Sequence, residues 1–156
     1  MKSTWGIPAA LCGAVLCSSI AMADAVAPTD IVITDGSIAQ SLTGAKGDPA
    51  AGKEAFVGRK LGNCLACHVN TDTSTEQFHG EVGPALDGVA SRYNEAELRA
   101  IIVNSKEVFG DGTIMPAFYR TTGFERPRKK FVGKSILSAQ QVEDVLAYLL
   151  TLKDKE

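Results

Sequence analysis

The chain has 156 residues, 45% of them apolar, with 16 basic residues against 18 acidic ones and a formal charge of −2. A balance this close to neutral lacks the basic footprint expected of a nucleic-acid-binding protein. The length suits one domain built around a single core.

Met1–Ala23 combines a basic residue at Lys2, an apolar run from Ile7 to Leu16 that continues to Ile20, and the small-residue site Ala21-Met22-Ala23. This pattern predicts a cleaved secretory signal, too short and wrongly flanked for a membrane anchor. Cys17 is not expected to carry lipid, because Leu16 before it is bulkier than such processing accepts. Removing 23 residues from 156 leaves 133, with 15 basic residues facing 18 acidic ones, a formal −3. Cys12, Cys17, Met1, Met22 and Trp5 go with the signal, so the mature chain keeps two cysteines and one methionine, Met115.

Residues 24–47 form an N-terminal extension, small, polar and weakly patterned. It holds a β-prone run at Ile31-Val32-Ile33 and a short predicted helix around Ser37–Leu42. Composition leaves open whether it lies over the domain surface or trails as a tether.

Residues 48–156 read as one helical domain. Its first helix starts at Asp48 as N-cap, with Pro49 in the first turn, and is expected to run to about Lys60. Gly52 and Phe56, four apart, share a face, and a glycine inside a helix predicts the close approach of another backbone.

Cys64-Leu65-Ala66-Cys67-His68 follows. Two thiols three positions apart can form thioethers to both vinyl groups of a haem, and the adjacent His then lies beneath the iron as an axial ligand. A structural disulfide, a thioredoxin-like redox pair and half of a zinc site are the competing readings of CxxC. Zinc would need Cys64, Cys67, His68 and His79 together, and adjacent ligands at Cys67 and His68 make a tetrahedron awkward. With an export signal upstream and His68 directly attached, one covalent haem c is the expected cofactor.

Asn70–Gly80 is polar and reads as loop, followed by the turn residues Gly83-Pro84-Ala85-Leu86. The next helix has a capping box, Asn94 with Glu97, an apolar face of Leu98, Ile101 and Ile102, and an expected end near Asn104. Gly110, Gly112, Pro116 and Gly123 then mark a long irregular stretch. The last helix is capped by Ser138 with Gln141, and repeats Val142, Val145, Leu146, Leu149 and Leu152 at helical spacing. Its Tyr148 is placed to meet Phe56 and Gly52.

A haem iron bound by one His is either left open or closed by a sixth ligand, and the mature chain offers only Met115 and His79. Met115 sits in a Gly- and Pro-rich loop able to fold over the opposite haem face, whereas His79 reads as a solvated loop residue. Pro84 is a candidate acceptor for the other ring nitrogen of His68, or simply a turn residue. Arg92 is a candidate partner for a haem propionate, against the default of a solvated arginine.

These motifs resemble class I cytochromes c. More narrowly, Gly62–His68, Phe78–Pro84, Met115–Tyr119 and Leu137–Val145 resemble the SoxX family, monohaem subunits of SoxAX complexes, and the resemblance covers nearly the whole mature chain. It implies an all-α class I cytochrome c fold around one covalent haem c, held by Cys64 and Cys67 and ligated by His68 and Met115. SoxAX is a periplasmic L-cysteine S-thiosulfotransferase that couples thiosulfate oxidatively to a cysteine of the carrier SoxYZ. The resemblance therefore implies a periplasmic electron-transfer subunit in a heterodimer with SoxA. It would serve SoxYZ indirectly, pass electrons to another cytochrome c, and carry no catalytic residue or membrane anchor of its own. A free-standing electron shuttle and an open-site haem protein that senses gas or reduces peroxide are the alternatives.

From Arg120 to Lys134 six basic residues (Arg120, Arg126, Arg128, Lys129, Lys130, Lys134) face one acid, Glu125. Such a run is either a solvated loop or a docking patch for an acidic partner.

Overall fold

Among the described residues there are four α-helices: α1 Pro49–Val57, α2 Val89–Arg92, α3 Glu95–Phe109 and α4 Ala139–Leu149. The computed structural model describes residues 24–154, so the predicted signal at 1–23 lies outside the described residues. Among the described residues no strand forms, only single-turn 3-10 segments and one isolated bridge, and the expected all-α class holds.

α1 begins where its capping residues place it, with the Asp48 carboxylate accepting from the Ala50 amide at 2.8 Å. It stops at Val57, short of the expected Lys60. Gly58 leaves the helical region at ψ 110°, and the following turn is closed by the Gly62 amide on the Ala55 carbonyl. α1 packs on α4 at Gly52, where a β-carbon would lie 1.9 Å from the Asp144 carbonyl oxygen and 2.9 Å from Tyr148 Cβ. The close approach predicted from that glycine is therefore a helix–helix contact, and only a residue without a side chain fits it. Phe56 meets Tyr148 edge to face with ring centroids 5.4 Å apart. The Tyr148 hydroxyl donates to Asp72 at 2.9 Å, and burial together with that carboxylate pushes its pKa well above the usual tyrosine value.

Both predicted capping boxes form, at Asn94/Glu97 and at Ser138/Gln141. α3 does not end near Asn104 but continues to Phe109 across a break, because Asn104 takes non-helical angles of φ −149° and ψ 77°. At that break the carbonyls of Ile102 and Val103 accept from the amides of Phe118 and Tyr119, each at 3.1 Å. The kink thus grips the chain that returns after the Met115 loop.

In residues 24–47 the expected helix at Ser37–Leu42 is absent. Asp35 and Gly36 both have positive φ, 50° and 71°, and close a two-residue turn bridged by Thr34 and Ser37. Beyond it Ile38 and Leu42 are buried, and a buried ion pair anchors them. Arg99 Nε lies 3.0 Å from Glu143 Oε1, Arg99 Nη1 donates to the Ile38 carbonyl, and Glu143 Oε1 accepts from the Leu42 amide. Both charges keep their hydrogen-bonding partners, the condition under which a buried pair is tolerated.

Candidate haem site

The segment Cys64–Ala66 forms a single 3-10 turn, entered through Asn63 in the left-handed region at φ 52°. The amides of Cys67 and His68 both donate to the Cys64 carbonyl, at 3.0 and 2.9 Å, which curls the motif so that Cys64, Cys67 and His68 line one cavity. Both thiols are free, and apolar burial pushes the Cys64 thiol up to about 12.

The strand of loop from Gly80 to Leu86 doubles back along the motif. Gly83 donates its amide to the Cys67 carbonyl at 2.8 Å and Leu86 to the Val69 carbonyl at 2.9 Å. A β-carbon on Gly83 would sit 2.3 Å from His68 Cε1, so the bare backbone lies directly against the imidazole. The His68 Nδ1–H donates to the Pro84 carbonyl at 2.8 Å. That bond fixes the ring and leaves Nε2 as the nitrogen with a free lone pair, the arrangement of a metal-ligating histidine.

Arg92 does not reach the cavity. Its guanidinium donates to the carbonyls of Asp87 at 2.7 Å and Ala85 at 3.0 Å, so its fork is spent on bracing the turn that carries Pro84. Two of its five N–H donors are used in this way, and Arg92 is not part of the cavity lining. His79 also lies outside the cavity lining, with Nε2–H donating to the Glu76 carbonyl at 2.8 Å. A zinc site would need His79 beside Cys64, Cys67 and His68, and the structure does not bring His79 to them.

Met115 lines the same cavity as His68, together with Ile101, Ile102, Phe118 and Leu149. The cavity measures about 520 Å³, within the range of sites that enclose a cofactor. Val82 and Ile114 stand at its border 62% and 74% exposed. A nearly all-apolar lining, two thiols and a histidine in one turn, and a thioether in the lining form a donor set that suits a covalently bound haem and little else. Sequence reasoning missed the supports of the Met115 loop: the Ser105 hydroxyl, 2.7 Å from the Met115 carbonyl, and the Asn104 break. Nothing in local composition signals either.

A family profile described as cytochrome c matches residues 49–153. The chain belongs to the cytochrome c family. In a solved structure titled SoxXA from P. pantotrophus, one chain shares 44% identity with it at a TM-score of 0.78, covering 84% of this chain and 100% of that one. The c-type cytochrome SorU from Sinorhizobium meliloti is 27% identical, covers 69% of this chain and 92% of its own, and superposes at a TM-score of 0.44. No curated protein sequence matches the chain significantly. The expected class I fold, the resemblance to SoxX and the expectation of one covalent haem c are thereby borne out, and electron transfer is the function that this cytochrome c performs.

Proposed function

We propose that this cytochrome c is the electron-transfer subunit of a periplasmic SoxAX-type L-cysteine S-thiosulfotransferase, in a heterodimer with SoxA. The observation that carries the ligand assignment is the shared cavity. His68, oriented by Pro84, and Met115, the one methionine among residues 24–154, both line it. Cys64 and Cys67 would hold the haem c covalently, and His68 and Met115 would ligate its iron. The cofactor contributes a one-electron couple, and a thioether ligand biases such a couple toward the reduced state. The chain's own residues do the rest. The Pro84 carbonyl keeps the imidazole in one tautomer and orientation, and the apolar lining keeps bulk water from the metal.

The substrate chemistry belongs to the partner. Electrons released when thiosulfate is coupled to SoxYZ enter here and leave to another cytochrome c, with no catalytic residue on this chain. The 44% identity to a chain of a SoxXA structure supports SoxA as the partner. The signal pattern of Met1–Ala23 supports export to the periplasm. Arg126, Arg128, Lys129, Lys130 and Lys134 are exposed and make no ion pair among the described residues. Their loop returns beside the cavity, where the amides of Ile136 and Leu137 donate to the Phe118 carbonyl. An unneutralised positive stretch there suits the encounter with an acidic redox partner.

Purification of the native protein tests this. It should copurify with SoxA and be reduced by thiosulfate only when SoxA and SoxYZ are both present. A protein that purifies alone and is reduced without them is a free-standing shuttle.

A further inference from the structure

We propose that Ser105 is the positioning residue that holds Met115 over the cavity, acting through the backbone of the Met115 loop. The inference rests on the assignment of Met115 as the sixth ligand. Loop 110–114 has little packing to fix it. Nothing lies within 4 Å of a β-carbon built on Gly110 or Gly112, and Ile114 is 74% exposed. Met115 itself packs against the core, but the loop leading to it has no such support, and a thioether there would leave the iron readily unless polar ties hold the backbone in place.

Those ties converge on the residues just after the α3 break. Ser105 is fully buried at 0% exposure, and its hydroxyl donates to the Met115 carbonyl at 2.7 Å, with the Pro116 carbonyl at 3.2 Å as a second acceptor. Lys106 Nζ donates to the Thr113 carbonyl, and the Thr113 hydroxyl oxygen accepts from the Met115 amide at 3.3 Å. On the far side Phe118 and Tyr119 are tied to Ile102 and Val103. Of these groups only the Ser105 hydroxyl is a side chain that is fully buried and bonded to Met115 itself. A serine inside a continuous helix would bond its own preceding turn. The break at Asn104 turns this hydroxyl outward to the loop instead.

Removing a buried hydroxyl leaves a carbonyl without its donor and favours the detached loop by about tenfold. Imidazole, which binds ferric iron only when the thioether has left, should then bind Ser105→Ala about tenfold more tightly than wild type, because apparent affinity follows the open fraction. Ser135→Ala serves as the control. Its hydroxyl donates to the Leu137 carbonyl at 2.6 Å, a comparable bond made neither to Met115 nor to loop 110–114, and its loss should leave imidazole binding unchanged.

The titration is read with the sulfur–iron absorption band, and circular dichroism verifies that the helices persist. An unchanged affinity in Ser105→Ala, or an equal rise in Ser135→Ala, overturns the proposal. If Ser105→Ala does not fold, Ser105→Cys, whose thiol is a weaker donor of nearly the same shape, reads the same bond. A rise of about threefold is expected there, and no rise overturns the proposal. A wild-type protein without the band would fail the Met115 assignment itself, whereas a normal band with an unaltered Ser105→Ala fails only the positioning role.

Discussion

The wall of the cavity that carries His68 and the wall that carries Met115 are built differently. Behind His68 the chain is folded back on itself with no space to spare. Gly83 presses on the ring, Pro84 accepts from it, and Arg92 locks the turn beyond. Behind Met115 there is an open loop, held by a hydroxyl and a kinked helix, with Ile114 at its tip in solvent. One wall is rigid by steric contact and the other by a few hydrogen bonds. On the ligation proposed above, His68 is a fixed partner and Met115 a releasable one, and perturbations should sort accordingly.

The largest effect should come from cutting the covalent anchor on the rigid wall. A small helical domain buries limited apolar area, and a macrocycle held between the walls would supply much of its core. Cys64→Ala combined with Cys67→Ala should therefore yield little folded protein, measured as recovery and helical circular dichroism. A stable helical apoprotein would show that the walls stand without their cofactor.

Next in size is Gly83→Ala. The added methyl meets the His68 ring, and overpacking of this kind costs about 1–3 kcal/mol, so thermal unfolding should fall by several degrees and the haem spectrum should change with it. A variant with unaltered stability and spectrum would mean that the rigid wall has slack. The same methyl added at Gly112 on the Met115 side, which faces open space and has no left-handed φ, should be nearly silent.

The smallest effect concerns encounter. Reversal of Arg128, Lys129 and Lys130 to Glu should slow thiosulfate-dependent electron transfer in the reconstituted system, most clearly at low salt, and leave the haem spectrum unchanged. An unaltered rate and salt dependence would reduce the stretch to a solvated loop.

The rigid wall was legible in the sequence because its information is local. The spacing of Cys64, Cys67 and His68, and the Gly83-Pro84 turn after them, can be read within a short window. So can the capping residues Asp48, Asn94 and Ser138, each of which caps its helix as expected. Gly52 announced its contact because a glycine within a helix needs a reason. The Met115 loop was legible only as a thioether in an irregular stretch. Its support depends on a break at Asn104 inside an otherwise good helical pattern, which no propensity encodes. Ile31–Ile33 and Ser37–Leu42 misled in a related way. Ile38 and Leu42 are buried where the Arg99–Glu143 pair, a partnership across 44 positions, holds their backbone, and the turn at Asp35 and Gly36 that precedes them was not read from the sequence.

The central claim is that His68 and Met115 ligate the iron from opposite walls. It is tested most directly by the weak long-wavelength band of a sulfur–iron bond in the ferric protein. The band should be present in wild type and in His79→Ala, and absent in Met115→Ala, whose iron should also bind carbon monoxide or cyanide and show a lower potential. A wild-type spectrum without the band, or a band that survives Met115→Ala, would contradict the claim.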